Sequence, residues 1–198
     1  MSSFTVLGVD LAGAVHRATG MCVLKDMMAT TFISHSDEEI LECAEREKPG
    51  LIAVDAPLNL PPGRKSIEDR NGTHFRVCDI ELRKRNIRFF PITLGPMRML
   101  TVRGISLRKK LEIRGFRVAE IYPGGAQDVW QIPRARRDKD GLRRGLQQLG
   151  IKGFKIDICD HELDAASGAL VGLLFLQDKA DVLGNFSEGA ILMPQPQD

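Results

Sequence analysis

Apolar and polar positions divide this chain into short blocks of two periods. Phe4 to Asp10 is an almost unbroken apolar run that ends on a carboxylate. Ala18 to Lys25 and Thr30 to Ser34 follow, separated by breaks at Gly13 and Arg17–Gly20 and by a turn near Asp26. Three short blocks at this spacing predict an antiparallel meander of strands. Ser36 then opens a helix, with Glu39 three residues on completing a capping box. Ile40, Leu41 and Ala44 supply its buried stripe, and Pro49-Gly50 stops it.

Leu51 to Asp55 is nearly all apolar and of strand length. Such a run predicts a strand covered on both faces, beside a crossover helix. Residues 56–75 are a long loop rich in Pro, Gly and polar side chains, of a length usually kept for function. Helices are predicted over 76–85 and 96–115, and a strand over 117–122 that ends at Pro123-Gly124-Gly125. A basic helix over 138–149, the most apolar helix over 161–177 and a short closing strand over 189–193 complete the chain.

The order β-β-β-α-β followed by mixed elements predicts an α/β fold. A meander followed by a right-handed crossover is similar to the ribonuclease H-like layout, a mixed five-stranded sheet flanked by helices. A length of 198 residues favours one domain over 1–198, with the long loop at 56–75 and a basic helical region at 76–155.

Composition narrows the class. At 43% hydrophobic and 27% charged residues, the chain matches ordinary globular proteins. No apolar run approaches the roughly 20 residues of a membrane span. The opening Met1-Ser2-Ser3-Phe4 lacks the basic and apolar regions of a signal peptide, so the expected location is cytoplasmic. Cys22, Cys43, Cys78 and Cys159 form no CxxC spacing, which argues against zinc and for reduced thiols. The net charge of +2 hides a strong segregation: residues 1–75 carry −4, residues 76–155 carry +13 and residues 156–198 carry −7. A basic middle beside acidic ends suits a polyanion partner such as nucleic acid; the plain alternative is solvated helix faces.

The chemistry resides in three separated carboxylates. Asp10 and Asp55 each end an apolar run, and Asp164 lies within the late apolar helix. An ionised carboxylate there is expensive unless compensated, and a hard divalent cation compensates it well. In the layout above, the first and fourth strands are neighbours, so Asp10 and Asp55 can share Mg²⁺ or Mn²⁺ while the helix brings Asp164 across the sheet. Two such cations about 3.5–4 Å apart would generate a hydroxide and stabilise a leaving oxygen, the requirement of phosphodiester hydrolysis. Asp157, Asp160 and Asp164 share one helical face if the helix reaches back that far, which makes Asp160 a further ligand or an N-cap. Asp10 and Asp55 can alternatively serve as turn residues.

Several other side chains are candidates. Glu120 is a possible fourth acid or the partner of an Arg. Arg76, Asp79 and Arg83 at i, i+3 and i+7 either present guanidiniums to phosphate or form surface ion pairs. Lys65 in the long loop can reach a phosphate. Tyr122 can stack on a base or pack internally. His161 can position water or meet a phosphate, or simply lie at the surface.

Read in order, Gly8-Val9-Asp10-Leu11-Ala12-Gly13, Ala53-Val54-Asp55-Ala56-Pro57-Leu58, Arg76-Val77-Cys78-Asp79 with Arg83, Glu120-Ile121-Tyr122-Pro123, His161-Glu162-Leu163-Asp164-Ala165-Ala166, Glu188-Gly189 and Pro194 resemble the DUF429 family. That group is regarded as ribonuclease H-like nucleases related to RuvC and YqgF, and the resemblance covers nearly the whole chain. It implies a metal-dependent nuclease with catalytic acids at Asp10, Asp55 and Asp164. RuvC-type enzymes usually carry Glu on the fourth strand, where this chain has the shorter Asp55. Two other functions stay open at this stage. One is a non-catalytic nucleic-acid or protein binding module on the same fold. The other is an actin-like small-molecule phosphotransferase, suggested by Gly8-Val9-Asp10-Leu11-Ala12-Gly13, although such enzymes need two duplicated halves and this chain supplies one.

Overall fold

The computed structural model describes residues 4–70 and 72–196. Met1–Ser3, Asn71 and Gln197–Asp198 lie outside the described residues, and with them most of the N-terminal stretch read for a leader and one position of the 56–75 loop. Strands β1 (Thr5–Asp10), β2 (Thr19–Lys25) and β3 (Met28–Ser34) form the antiparallel meander. The β2–β3 turn is two residues long, with Asp26 and Met27 both left-handed at φ 49° and 61°. A turn of that kind matches the twist of the strands it joins, so β3 starts at Met28, ahead of the predicted Thr30.

Helix α1 (Asp37–Glu47) begins at Ser36, whose hydroxyl accepts from the Glu39 backbone N–H at 3.2 Å, as the capping box predicts. It crosses to β4 (Leu51–Val54), which runs parallel to β1 with Val9 opposite Val54. Beyond the long loop come α2 (Val77–Lys84), α3 (Gly95–Ile113) and β5 (Val118–Ile121), the last parallel to β4. Helices α4 (Pro123–Val129), α5 (Lys139–Gln148) and α6 (Asp160–Leu176) precede a hairpin of β6 (Ala180–Asn185) and β7 (Gly189–Pro194). The sheet runs β3-β2-β1-β4-β5-β7-β6.

The sheet therefore has seven strands where the sequence predicts five. The closing strand pairs in parallel with β5 and brings β6 as a new edge. Ala180–Asn185 escapes sequence detection because its polar, half-exposed positions lack a buried period. Short α4 escapes because Pro123 reads as a strand stop, whereas it occupies the first turn of a helix, where its missing N–H costs nothing.

The pleat sorts the core into two layers. Val6, Leu51, Ala53, Ala119 and Ile121 face α6, while Leu7, Val9, Ile52 and Val54 face α1 and α3. Helix α6 lies unusually close to the sheet. A β-carbon at Gly8 would collide with the Ala165 carbonyl oxygen, and one at Gly20 with that of His161. Only glycine at these two strand positions lets the start of α6 rest on β1 and β2. Among the described residues no helix is long and apolar enough to cross a membrane.

Candidate functional site

The close seat of α6 defines the site. Asp10 follows Gly8 by two residues, so it shares the α6 face of the sheet. Asp55 continues the parity of Leu51 and Ala53, and its backbone N–H donates to the Val9 carbonyl at 2.8 Å, which places it beside Asp10. Asp164 directly precedes Ala165, the residue that rests on Gly8. Strand register and helix seating thus bring the three carboxylates to one end of the sheet.

Their electrostatics register the crowding. Burial pushes the Asp55 carboxyl well above the usual range, and the charges of Asp10, Asp164 and Glu120 push it further; Asp10 is also its hydrogen-bond partner. Burial and then the charge of Asp10 push Asp164 up to about 6, against the hydrogen bond from Gln127 and the charge of His161. Mutual repulsion in a partly desolvated pocket is the condition that a hard cation relieves. The donors, all carboxylate oxygens, fit Mg²⁺ or Mn²⁺ by type. Among the described residues no group of three His, Cys, Asp or Glu side chains has the geometry of a preformed metal site. Asp10 and Asp164 are each turned toward another partner: His161 Nδ1 lies 2.6 Å from Asp10 Oδ2, and Gln127 Nε2 donates to Asp164 Oδ1 at 2.7 Å. The Asp10 hydrogen bond is the main cause that raises the His161 pKa.

Asp160 is the first residue of α6 and Cys159 its N-cap, so Asp160 does not cap the helix. It lies near enough to act electrostatically on both His161 and Asp164. Asp157 falls before the helix, so the three-aspartate face is not formed.

Glu120 lines the same cavity as Asp55 and Asp164, but its carboxylate is committed to a buried ion pair. Val54 pairs with Glu120, so Glu120 follows Val54 to the opposite face of the pleat from Asp55. Its carboxylate receives Arg76 Nη1 at 2.6 Å and Nη2 at 2.8 Å, and the Leu58 N–H at 2.8 Å. Asp79 accepts from Arg76 Nη2 at 2.8 Å and from its backbone N–H at 2.8 Å. The Arg76 side chain is 2% exposed, so of the two readings of Arg76, Asp79 and Glu120 the structure displays the ion pair, buried rather than at the surface. Burial pushes Glu120 up even against Arg76, whereas Glu120 and Asp79 hold Arg76 firmly charged. The two-pronged geometry favours the charged pair. Arg83 is exposed and lies over the Phe75 ring at 5.1 Å, away from Arg76's buried partners.

Lys65 is exposed in the long loop, where its backbone N–H donates to Asp69 Oδ2 at 2.6 Å. The Tyr122 hydroxyl donates to the Arg88 carbonyl at 2.7 Å. Tyr122, Gln127, Arg136, Asp55 and Asp164 all line one cavity of about 350 Å³. Arg136 forms no ion pair within 4 Å among the described residues.

Sequence reasoning missed three contributors. Gln127 lies on the unforeseen α4, is 1% exposed, and also donates to Ser167 Oγ at 3.0 Å, so it ties Asp164 to the frame of α6. Arg103 donates to the Ala12 carbonyl at 2.6 Å and pairs with buried Asp37 at 2.9 Å, which pins the loop after Asp10. Its neighbour Gly104 allows α3 to approach the loop after Asp55, since a β-carbon there would lie 2.7 Å from the Pro57 carbonyl oxygen. Recognising α4 would have placed the first on a helix; the other two act across the fold.

The architecture is ribonuclease H-like. RuvC from T. thermophilus in complex with a Holliday junction substrate superimposes with a TM-score of 0.50 at 12% identity, over 88% of this chain and 96% of that one. A Thermus thermophilus RuvC structure aligns at a TM-score of 0.47 and 15% identity, over 88% and 96% of the two chains. No protein-family model and no curated protein matches this chain.

Proposed function

We propose that this protein is a metal-dependent phosphodiester hydrolase acting on nucleic acid. The observation that carries the reading is the convergence of Asp10, Asp55 and Asp164 from β1, the end of β4 and α6, where burial and then the charges of their neighbours push the Asp55 and Asp164 carboxyls up. The ordered motifs from Gly8 to Pro194 add an assignment to the DUF429 group, and the RuvC solved with a Holliday junction is consistent with a nucleic-acid substrate.

In this reading Asp10, Asp55 and Asp164 hold Mg²⁺ or Mn²⁺, with Asp160 at the rim. The bound cation supplies activation of water and stabilisation of the leaving oxygen. The protein's own residues do the rest. Gln127 orients one oxygen of Asp164 and leaves the other to the pocket. His161, half exposed, hydrogen-bonds Asp10 and stands where a phosphate or water can approach. Arg136 offers a positive charge on the cavity wall. Glu120 and Asp79 serve through Arg76 as a buried brace under the Asp55 loop, which Glu120 grips at the Leu58 N–H.

The test is hydrolysis of branched, single-stranded and hybrid nucleic acids by purified protein with Mn²⁺. Cleavage is expected, and its loss is expected in Asp10→Asn. Cleavage that persists in Asp10→Asn and Asp164→Asn would overturn the assignment. Metal-independent binding without cleavage would favour a binding module on the same fold.

A further inference from the structure

Beside the carboxylate cavity runs a second, larger groove of about 850 Å³. Phe90, Tyr122 and Arg134 belong to the walls of both, so the two adjoin one another. The groove is lined by aromatic rings interleaved with guanidiniums and contains no carboxylate. Phe90 is 74% exposed, so its ring is open to a ligand. Phe75 also lines the groove, with the Arg83 guanidinium 5.1 Å from its ring centre. Neither Arg83 nor Arg88 forms an ion pair within 4 Å among the described residues, whereas Arg134 is bound to Asp128. Much of the basic middle of the chain is neutralised internally, so these two charges are among those left for a ligand.

An exposed ring beside guanidiniums free of ion pairs is complementary to a strand whose bases are unpaired. Flat rings accept the faces of unstacked bases, and guanidiniums accept the phosphates between them. A duplex offers no free base face to such a ring. We propose that this groove binds a single-stranded stretch of polynucleotide, base against Phe90 and phosphates against Arg83 and Arg88, and leads it toward the carboxylate cavity. The inference rests on the proposed hydrolase reading for its direction, but the groove is testable without catalysis.

The probe is a short oligothymidylate carrying one 2-aminopurine, in DNA and RNA versions, titrated into the full chain in EDTA. Binding with quenched fluorescence is expected, and Phe90→Ala should weaken it by about tenfold, the worth of one base–ring stack. Phe90→Trp should preserve both signals. Arg83→Gln and Arg88→Gln should each lower the salt dependence of binding by about 0.7 in log–log slope. Since Phe90 is solvent-exposed, its loss should leave the melting temperature unchanged, which separates a binding role from a folding one. Equal affinity for a duplex of the same length, equal affinity for a free mononucleotide, or binding unaffected by Phe90→Ala would overturn the proposal. EDTA keeps the two readings apart: strand binding without later metal-dependent cleavage sinks the hydrolase, and cleavage without strand binding sinks the groove.

Discussion

Arg76 and Glu120, 44 residues apart in sequence, meet in the interior through two hydrogen bonds of 2.6 and 2.8 Å. Both are nearly inaccessible, and Asp79 supplies a second carboxylate to the same guanidinium. A buried pair of this kind is costly to break and much less costly to replace whole. Arg76→Met is therefore expected to destabilise the protein by about 3–5 kcal/mol, since it strands Glu120 and Asp79. Combining it with Glu120→Leu and Asp79→Leu should recover much of that loss, as read by urea unfolding. If Glu120→Gln abolished hydrolysis while leaving stability intact, Glu120 would have to be returned to the catalytic group.

The crowding of Asp164 with Asp10 makes a prediction for metal-free protein. A carboxyl raised on folding from 3.8 to about 6 withdraws stability as pH rises through that interval, because the unfolded chain gives up its proton sooner. Asp164→Asn keeps an oxygen for Gln127 and removes the charge. It should stabilise the metal-free protein at pH 8 by about 2–3 kcal/mol, at 1.36 kcal/mol per pKa unit. Thermal melts in EDTA check the sign. Mn²⁺ should raise the melting point of the wild type and do so less for the variant.

Gln127 tests whether the orientation of Asp164 matters. Gln127→Leu keeps the volume but removes the donor to Asp164 and Ser167. An outer partner of a metal ligand is typically worth 10–100-fold, so Mn²⁺ affinity by calorimetry should fall by about that factor. An unchanged affinity would make Gln127 a packing residue only.

Asp37 gives a pH dependence remote from the carboxylates. Burial works against its charge, but hydrogen bonds from Lys110 and Arg103 overcome it and hold its carboxyl below the usual range. Its stabilisation is complete above the unfolded value near about 3.9 and is lost as pH falls through the lower folded value. Unfolding free energy should drop on acidification below about pH 4, and Asp37→Asn should be less stable at pH 7 but less sensitive to acid. Parallel pH profiles would disprove this role for Asp37.

The pattern of residues alone determined the meander, the crossover and the apolar last helix. Local signals suffice for these: apolar runs of strand length, the Ser36–Glu39 cap and the stops at Gly and Pro. It also marked Asp10, Asp55 and Asp164, since a carboxylate is out of place at the end of an apolar run or inside an apolar helix. The register that seats Asp55 beside Asp10, the contact of Ala165 on Gly8 and the diversion of Glu120 to Arg76 were decided only in three dimensions. So were β6, α4 and the pairing of Arg103 with Asp37. Most of these depend on partners far away in sequence, such as the 44 residues from Arg76 to Glu120 and the 66 from Asp37 to Arg103. Periodicity reports which face of an element is buried, but it does not report against what. A charge in the basic middle therefore reads the same in sequence whether it braces the interior, like Arg76, or lines an open groove, like Arg83.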